Sequence, residues 1–262
     1  MIKFFRRIRK RLLRDGKFTK YVIYALGEIF LVVIGILIAV GIGEWRLDIK
    51  KEKELISYYK GLKDDLNKDK VRLDTLISVI EKASLGITNE LDEIQLSTYN
   101  EDSLYSNVPA WLVYVTEFAP HNSNFTEILS SGKLQLFNNK DLKLKILNIY
   151  SNLYPELQFR QNASNEFIRD NRTDKLMDTF RWMKLLDNDG SAETNVILKN
   201  PKYHIRHDWV YDKQSVKYLE FENYLALTKA AYMGYIKRYK KIREEVKSLI
   251  ILIEDELKLF TE

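Results

Sequence analysis

Three apolar patterns divide the chain. From Tyr21 to Gly43 it reads YVIYALGEIFLVVIGILIAVGIG, 23 residues with a single charge, Glu28. A helix rising about 1.5 Å per residue spans about 34 Å over that length, enough to cross a hydrocarbon layer about 30 Å thick. A transmembrane helix is therefore predicted over 21–45, with Tyr21 and Trp45 placed as interfacial aromatics. The pattern changes at Leu55. Positions 55, 59, 62, 66, 69, 73, 76, 80, 83 and 87 follow alternating steps of four and three, and nine of the ten are apolar. Such a seam predicts a long helix packed on another, over 46–97. Asp69 is the exception, and it either sets the register or faces water. A second seam closes the chain at 221, 225, 228, 232, 235, 239, 242, 246, 249, 253, 256 and 260, with ten of twelve apolar and Thr228 and Glu256 the exceptions. It predicts a matching helix over 216–262. Two such helices at the ends of one folded unit are expected to run antiparallel as a stalk, bringing the C-terminus back towards the membrane.

Residues 98–215 are then expected to form a smaller, mainly helical head. Asn124–Ser131 followed by Gly132 reads as a short helix closed by a glycine cap. Lys140–Leu153 is amphipathic, with Asn138 or Asn139 available as its cap. Pro155 suits the first turn of a third helix running to about Leu186. Asp187–Gly190 reads as a turn and 191–215 as irregular, while Trp111–Val115 (WLVYV) fits strand and helix equally. The fold class is all-α: a transmembrane helix, a long antiparallel stalk and a small head.

Charge sets the orientation. Residues 1–20 hold nine cations and one anion, Asp15, a net +8 within a chain of +5, so the remaining 242 residues sum to −3. The cationic flank stays in the cytoplasm, which puts residues 46–262 on the opposite side of the membrane. Ile2, Phe5, Ile8 and Leu12 recur at helical spacing among Arg6, Arg7, Arg9, Lys10, Arg11 and Arg14. Such a segment lies on anionic lipid headgroups with its apolar side down. Beside a membrane anchor, lipid is the better partner for this patch than nucleic acid. A cleaved signal peptide fits less well, because 23 apolar residues exceed the usual apolar core of about 7–15. With no Cys, disulfides, Cys-ligated metals and thiol nucleophiles are excluded.

The string FFRRIRKRLL…KFTKYVIYALGEIFLVVIGILIAV resembles an uncharacterised family of single-span membrane proteins from flavobacteria and their relatives, whose members carry a domain of unknown function. Phe125–Leu134 (FTEILSSGKL), with Asn138-Asn139 and the helix to Tyr150, resembles that family's second signature. The resemblance implies an anchor in a bacterial inner membrane with residues 46–262 in the periplasm, a head, and no activity. The family pattern has polar Gln and Asn just before the Trp; here Gly41, Gly43 and Glu44 stand there.

Few residues suggest chemistry. A carboxylate within a span is costly and often functional, but Glu28 sits where the apolar core begins, so a place among the cytoplasmic headgroups is the simpler reading. Gly35, Ala39 and Gly43 fall four apart, a spacing that lets membrane helices approach closely, so a homo-oligomer is expected. His204 and His207 lack the further ligands of a metal site, and Ser130–Lys133 lacks the frame of a phosphate loop. Asp187–Gly190 fails as a calcium loop because Leu185 and Val196 occupy its end positions. No catalytic residue, metal or cofactor is expected. The leading function is a non-enzymatic scaffold, sensor or accessory subunit that binds another membrane or envelope protein. The alternatives are a stator-like proton-coupled subunit using Glu28 and, behind it, a periplasmic hydrolase using His204 or His207.

Overall fold

The computed structural model describes residues 18–96, 117–176 and 208–260. Its elements are α1 (Phe18–Leu96), α2 (Ser123–Ser130), a 3-10 turn (Lys133–Leu136), α3 (Lys140–Asn148), a π turn (Ile149–Leu153), α4 (Tyr154–Leu176), a second 3-10 turn (Asp208–Tyr211) and α5 (Val216–Lys258). No strand occurs among the described residues, as the all-α expectation requires. The expected segments 21–45 and 46–97 belong to one helix, α1. No proline interrupts it, and its glycines weaken a helix without ending it.

The chain divides into two compact units, Met1–Ser57 and Tyr58–Glu262. The described part of the first unit is helical throughout and its apolar side chains are exposed, from Val22 and Ile23 through Phe30 and Leu37 to Trp45 and Leu47. Its most apolar 18-residue window has a mean hydropathy of 2.7 and is wholly unburied, so by length and composition this helix can cross a membrane.

The second unit is built on both seams. Tyr59, Leu62, Leu66, Asp69, Leu73, Leu76, Ile80, Ala83 and Ile87 are all buried, and the four-and-three steps continue through buried Glu90 and Ile94. Of the twelve positions of the second seam ten are buried, Thr228 among them, while Glu256 and Phe260 (the latter just beyond α5) are half-exposed. Their direction follows from their partners. Lys63 pairs with Glu254 at 3.1 Å, Asp74 with Arg243 at 3.0 Å and Glu81 with Lys240 at 2.7 Å. Beyond them the Tyr218 hydroxyl donates to the Ile94 carbonyl. Partner numbers fall along α5 as they rise along α1, so the two helices are antiparallel. Part-exposed pairs of this kind contribute at most about 1 kcal/mol each; their use is register.

A third long element lies alongside. Asn139 donates to Glu256 at 2.6 Å, Lys145 to the Ser248 hydroxyl at 2.6 Å and Gln161 to the Tyr239 hydroxyl at 2.6 Å. The run α3–π turn–α4 is therefore antiparallel to α5. The segment expected as a head lies, over its described residues 117–176, along the long helices and in the same compact unit. Its caps follow local chemistry: Asn139, not Asn138, accepts from the Asp141 and Leu142 N–H groups, and Gly132 takes the left-handed conformation (φ 70°) that ends α2.

The third helix does not begin afresh at Pro155; the π turn carries α3 into α4. Proline lacks an N–H, and in an α-helix its ring strikes the carbonyl four residues back. That residue, Ser151, lies in the π turn. Leu142 and Ile146 are buried before the π turn, Ile149 and Tyr150 within it, and Tyr154, Leu157 and Gln161 after it.

Candidate functional site

Buried polar groups gather where residues 117–122 cross the bundle. These residues belong to no helix, so their backbone N–H groups need partners from elsewhere. Two side chains, each with no exposed surface, provide them. Gln161 of α4 accepts from the Phe118 N–H at 3.1 Å, and Asp69 of α1 accepts from the His121 N–H at 2.8 Å. The His121 ring adds its Nδ1 at 2.8 Å to the same Asp69 oxygen, and the Tyr154 hydroxyl donates to the other oxygen at 2.8 Å. Phe118 seals the crossing, fully buried with its ring 5.2 Å from that of Tyr154.

The seam exception is thereby resolved. Asp69 does not face water; it fixes the register between α1, the crossing segment and the π-turn helix. Burial pushes its carboxyl above the ordinary range, and the hydrogen bonds from His121 and Tyr154 oppose that rise. Tyr154 is raised far above an ordinary tyrosine, first by burial and then by the adjacent Asp69 charge.

One turn earlier on α1, Asp65 is also buried. It accepts from the Asn124 side-chain amide at 2.7 Å and from the Asn124 N–H at 3.4 Å. Asn124 lies in the first turn of α2, where backbone N–H groups lack helical partners, and the Asn122 side chain caps none of them. A carboxylate on another helix thus caps α2 and meets the positive end of its dipole. Close approach is possible because residue 61 is glycine: a Cβ there would collide with the Asn124 carboxamide, whose nitrogen also donates to the Gly61 carbonyl.

Asp69 orients a half-exposed imidazole, an element of general-base chemistry. Among the described residues no serine or threonine hydroxyl is hydrogen-bonded to His121, and no group of three or more His, Asp or Glu could hold a metal ion. Among the described residues the arrangement holds helices together.

The expected site residues fall elsewhere. Gly35, Ala39 and Gly43 lie on α1 in the first unit, and a Cβ at either glycine would meet nothing within 4 Å. Glu28 is half-exposed on the same helix. Arg6, Arg7, Arg9, Lys10, Arg11 and Arg14 lie outside the described residues, as do Trp111–Val115, Asp187–Gly190, His204 and His207. Ser130–Lys133 ends α2 and starts the 3-10 turn. Sequence reading missed Asp65, Asn124, Tyr150, Tyr154 and Gln161. The available signal was two aspartates four residues apart at and beside the seam, a spacing that turns both towards one neighbour.

No curated protein and no solved structure matches the chain. A family model matches residues 28–180, from the apolar part of α1 through the crossing segment and the π turn to beyond α4. Covering more than half of the sequence, that match shows that the chain belongs to the family of unknown function DUF6090.

Proposed function

We propose that this chain is a single-span protein of the bacterial envelope that works without catalysis, as a scaffold, sensor or accessory subunit. Residues 21–45 form its transmembrane anchor, the cationic first 20 residues rest on anionic headgroups in the cytoplasm, and residues 46–262 stand in the periplasm and bind another envelope protein. The observation that carries this reading is the contrast along α1. Apolar side chains from Val22 to Leu47 are exposed, whereas the seam from Tyr59 to Ile94 is buried. Exposed apolar residues over a membrane's thickness call for lipid. The buried polar groups, Asp65, Asp69 and Gln161, are occupied in holding helices, which supports a role in presenting a surface. Self-association through Gly35, Ala39 and Gly43 belongs to the same proposal.

The test is topology and company. Alkaline phosphatase fused after Glu262 should be active, and the protein should stay in the membrane pellet after alkaline carbonate extraction. A cytosolic reporter signal, or a mature product that begins after Gly43, overturns the anchor. A native complex purified in mild detergent that proves to be a lone monomer overturns the scaffold.

A further inference from the structure

A groove of about 210 Å3 opens between α4 and α5, at the end of the π turn. Leu153, the last residue of that turn, lies on its wall, and Leu157 and Ile242, both buried, form its apolar floor. A π turn carries one more residue than an α-helical turn and is frequent at functional sites. Here it sets the wall of the cavity.

The rim is cationic. Arg160, Arg238 and Lys241 border the groove against one carboxylate, Glu156, which pairs with Arg160 at 2.8 Å. Arg238 and Lys241 make no ion pair among the described residues, whereas Lys240, Arg243 and Lys247 around them are all paired with carboxylates. The Arg238 guanidinium lies back over Gly234, where a Cβ would come within 3.3 Å of it, so the glycine leaves room for the guanidinium against the helix. Two cations with no ion pair among the described residues therefore stand over an apolar floor, on a body whose sequence is net acidic beyond its first 20 residues.

We infer that this groove binds a small amphiphilic anion, with its carboxylate or phosphate on Arg238 and Lys241 and a short apolar group over Leu157 and Ile242. The volume sets the size, because drug-sized ligands occupy about 300–1,000 Å3 and this cavity is smaller. Neither charge alone nor apolar surface alone fills it. This site stands apart from the proposed anchor and partner, and it holds or fails without them.

The probe is hexanoate, titrated into the full-length protein in nanodiscs of zwitterionic lipid, with the methyl NMR signals of Leu157 and Ile242 as readout. Hexanoate should bind saturably, while acetate and inorganic phosphate, which lack the apolar part, and hexanol, which lacks the charge, should each bind at least ~10-fold more weakly. Arg238→Gln with Lys241→Gln should weaken hexanoate ~10-fold or more with unchanged helical circular dichroism. Glu156→Gln, which removes the one carboxylate among the described lining residues, should tighten it. Absence of saturable hexanoate binding overturns the inference, as does equal binding by the double variant. Binding of phosphate as tight as that of hexanoate identifies a plain anion patch, and binding of hexanol as tight identifies a plain apolar one; either result also overturns it.

Discussion

Tyr150 and Tyr154 lie four residues apart across the π turn with their rings edge-on, centroids 5.3 Å apart, and only Tyr154 hydrogen-bonds, donating to Asp69 at 2.8 Å. The Tyr150 hydroxyl is buried with no protein partner among the described residues, its ring stacked on Phe125 at 4.6 Å. Phenylalanine at each position should therefore act in opposite directions. Tyr154→Phe removes a hydrogen bond to a charged acceptor and should cost about 1.5–3 kcal/mol. Tyr150→Phe removes a desolvated hydroxyl and should be neutral or stabilising. Urea unfolding followed by circular dichroism separates the two, and a larger loss at Tyr150 would contradict the assignment.

Asp69 gives a signed pH effect. Its carboxyl is raised in the folded state from an ordinary value near 3.8, so the folded protein holds that proton more tightly than the unfolded chain. The associated stability is fully present below that ordinary value and is lost as pH rises through the raised one. On acidification through this window the parent protein should gain stability relative to Asp69→Asn. At neutral pH Asp69→Ala, which leaves the His121 N–H and the Tyr154 hydroxyl without their acceptor, should cost about 1–3 kcal/mol for each donor left unsatisfied. Chemical denaturation at a series of pH values checks both.

At the alkaline end the tyrosines dominate. Burial raises Tyr59, Tyr150, Tyr154, Tyr218, Tyr235 and Tyr239 above the ordinary value of 10.0. For a raised group stability is intact below the unfolded value and falls above it, because the unfolded chain then releases protons that the folded one keeps. Above pH ~10 helix content and the protonation of these six tyrosines should be lost in one cooperative step. Tyrosinate absorbance that rises gradually while the helical signal stays constant would refute this.

Gly61 tests the capping of α2 from α1. Gly61→Ala raises helix propensity by about 1 kcal/mol and should stabilise an isolated helix. Here its Cβ meets the Asn124 carboxamide, so the protein should be destabilised instead. Combining Gly61→Ala with Asn124→Gly should recover part of the loss, a coupling that a double-mutant cycle measures.

Much of this was legible beforehand. The seams from Leu55 and Phe221 predicted which faces are buried, because a repeat of four and three leaves a helix a single apolar side. Gly132 and the tandem Asn138-Asn139 marked helix ends through local chemistry alone. The joining of α3 to α4 was not legible: Pro155 ordinarily starts a helix, and the buried Ile146, Tyr150, Tyr154 and Leu157 keep steps of four and three straight through the π turn. The ties of Asp65, Asp69 and Gln161 were also hidden, since each joins residues more than 40 positions apart and the partners Phe118 and His121 belong to no periodic element. A seam exception announces that something polar is inside without naming its partner.

Phe260 lies against Tyr59, ring centroids 6.4 Å apart, so the bundle begins and ends on the same side. Tension between those two points would peel α5 from α1 like a zipper, loading Lys63–Glu254 before Asp74–Arg243 and that before Glu81–Lys240, each break arriving alone. Tension along the helices would shear every layer at once. The fold is thus mechanically weak in one direction and strong in the other, and a pulling experiment with handles at residues 58 and 260 should record a low, stepwise force.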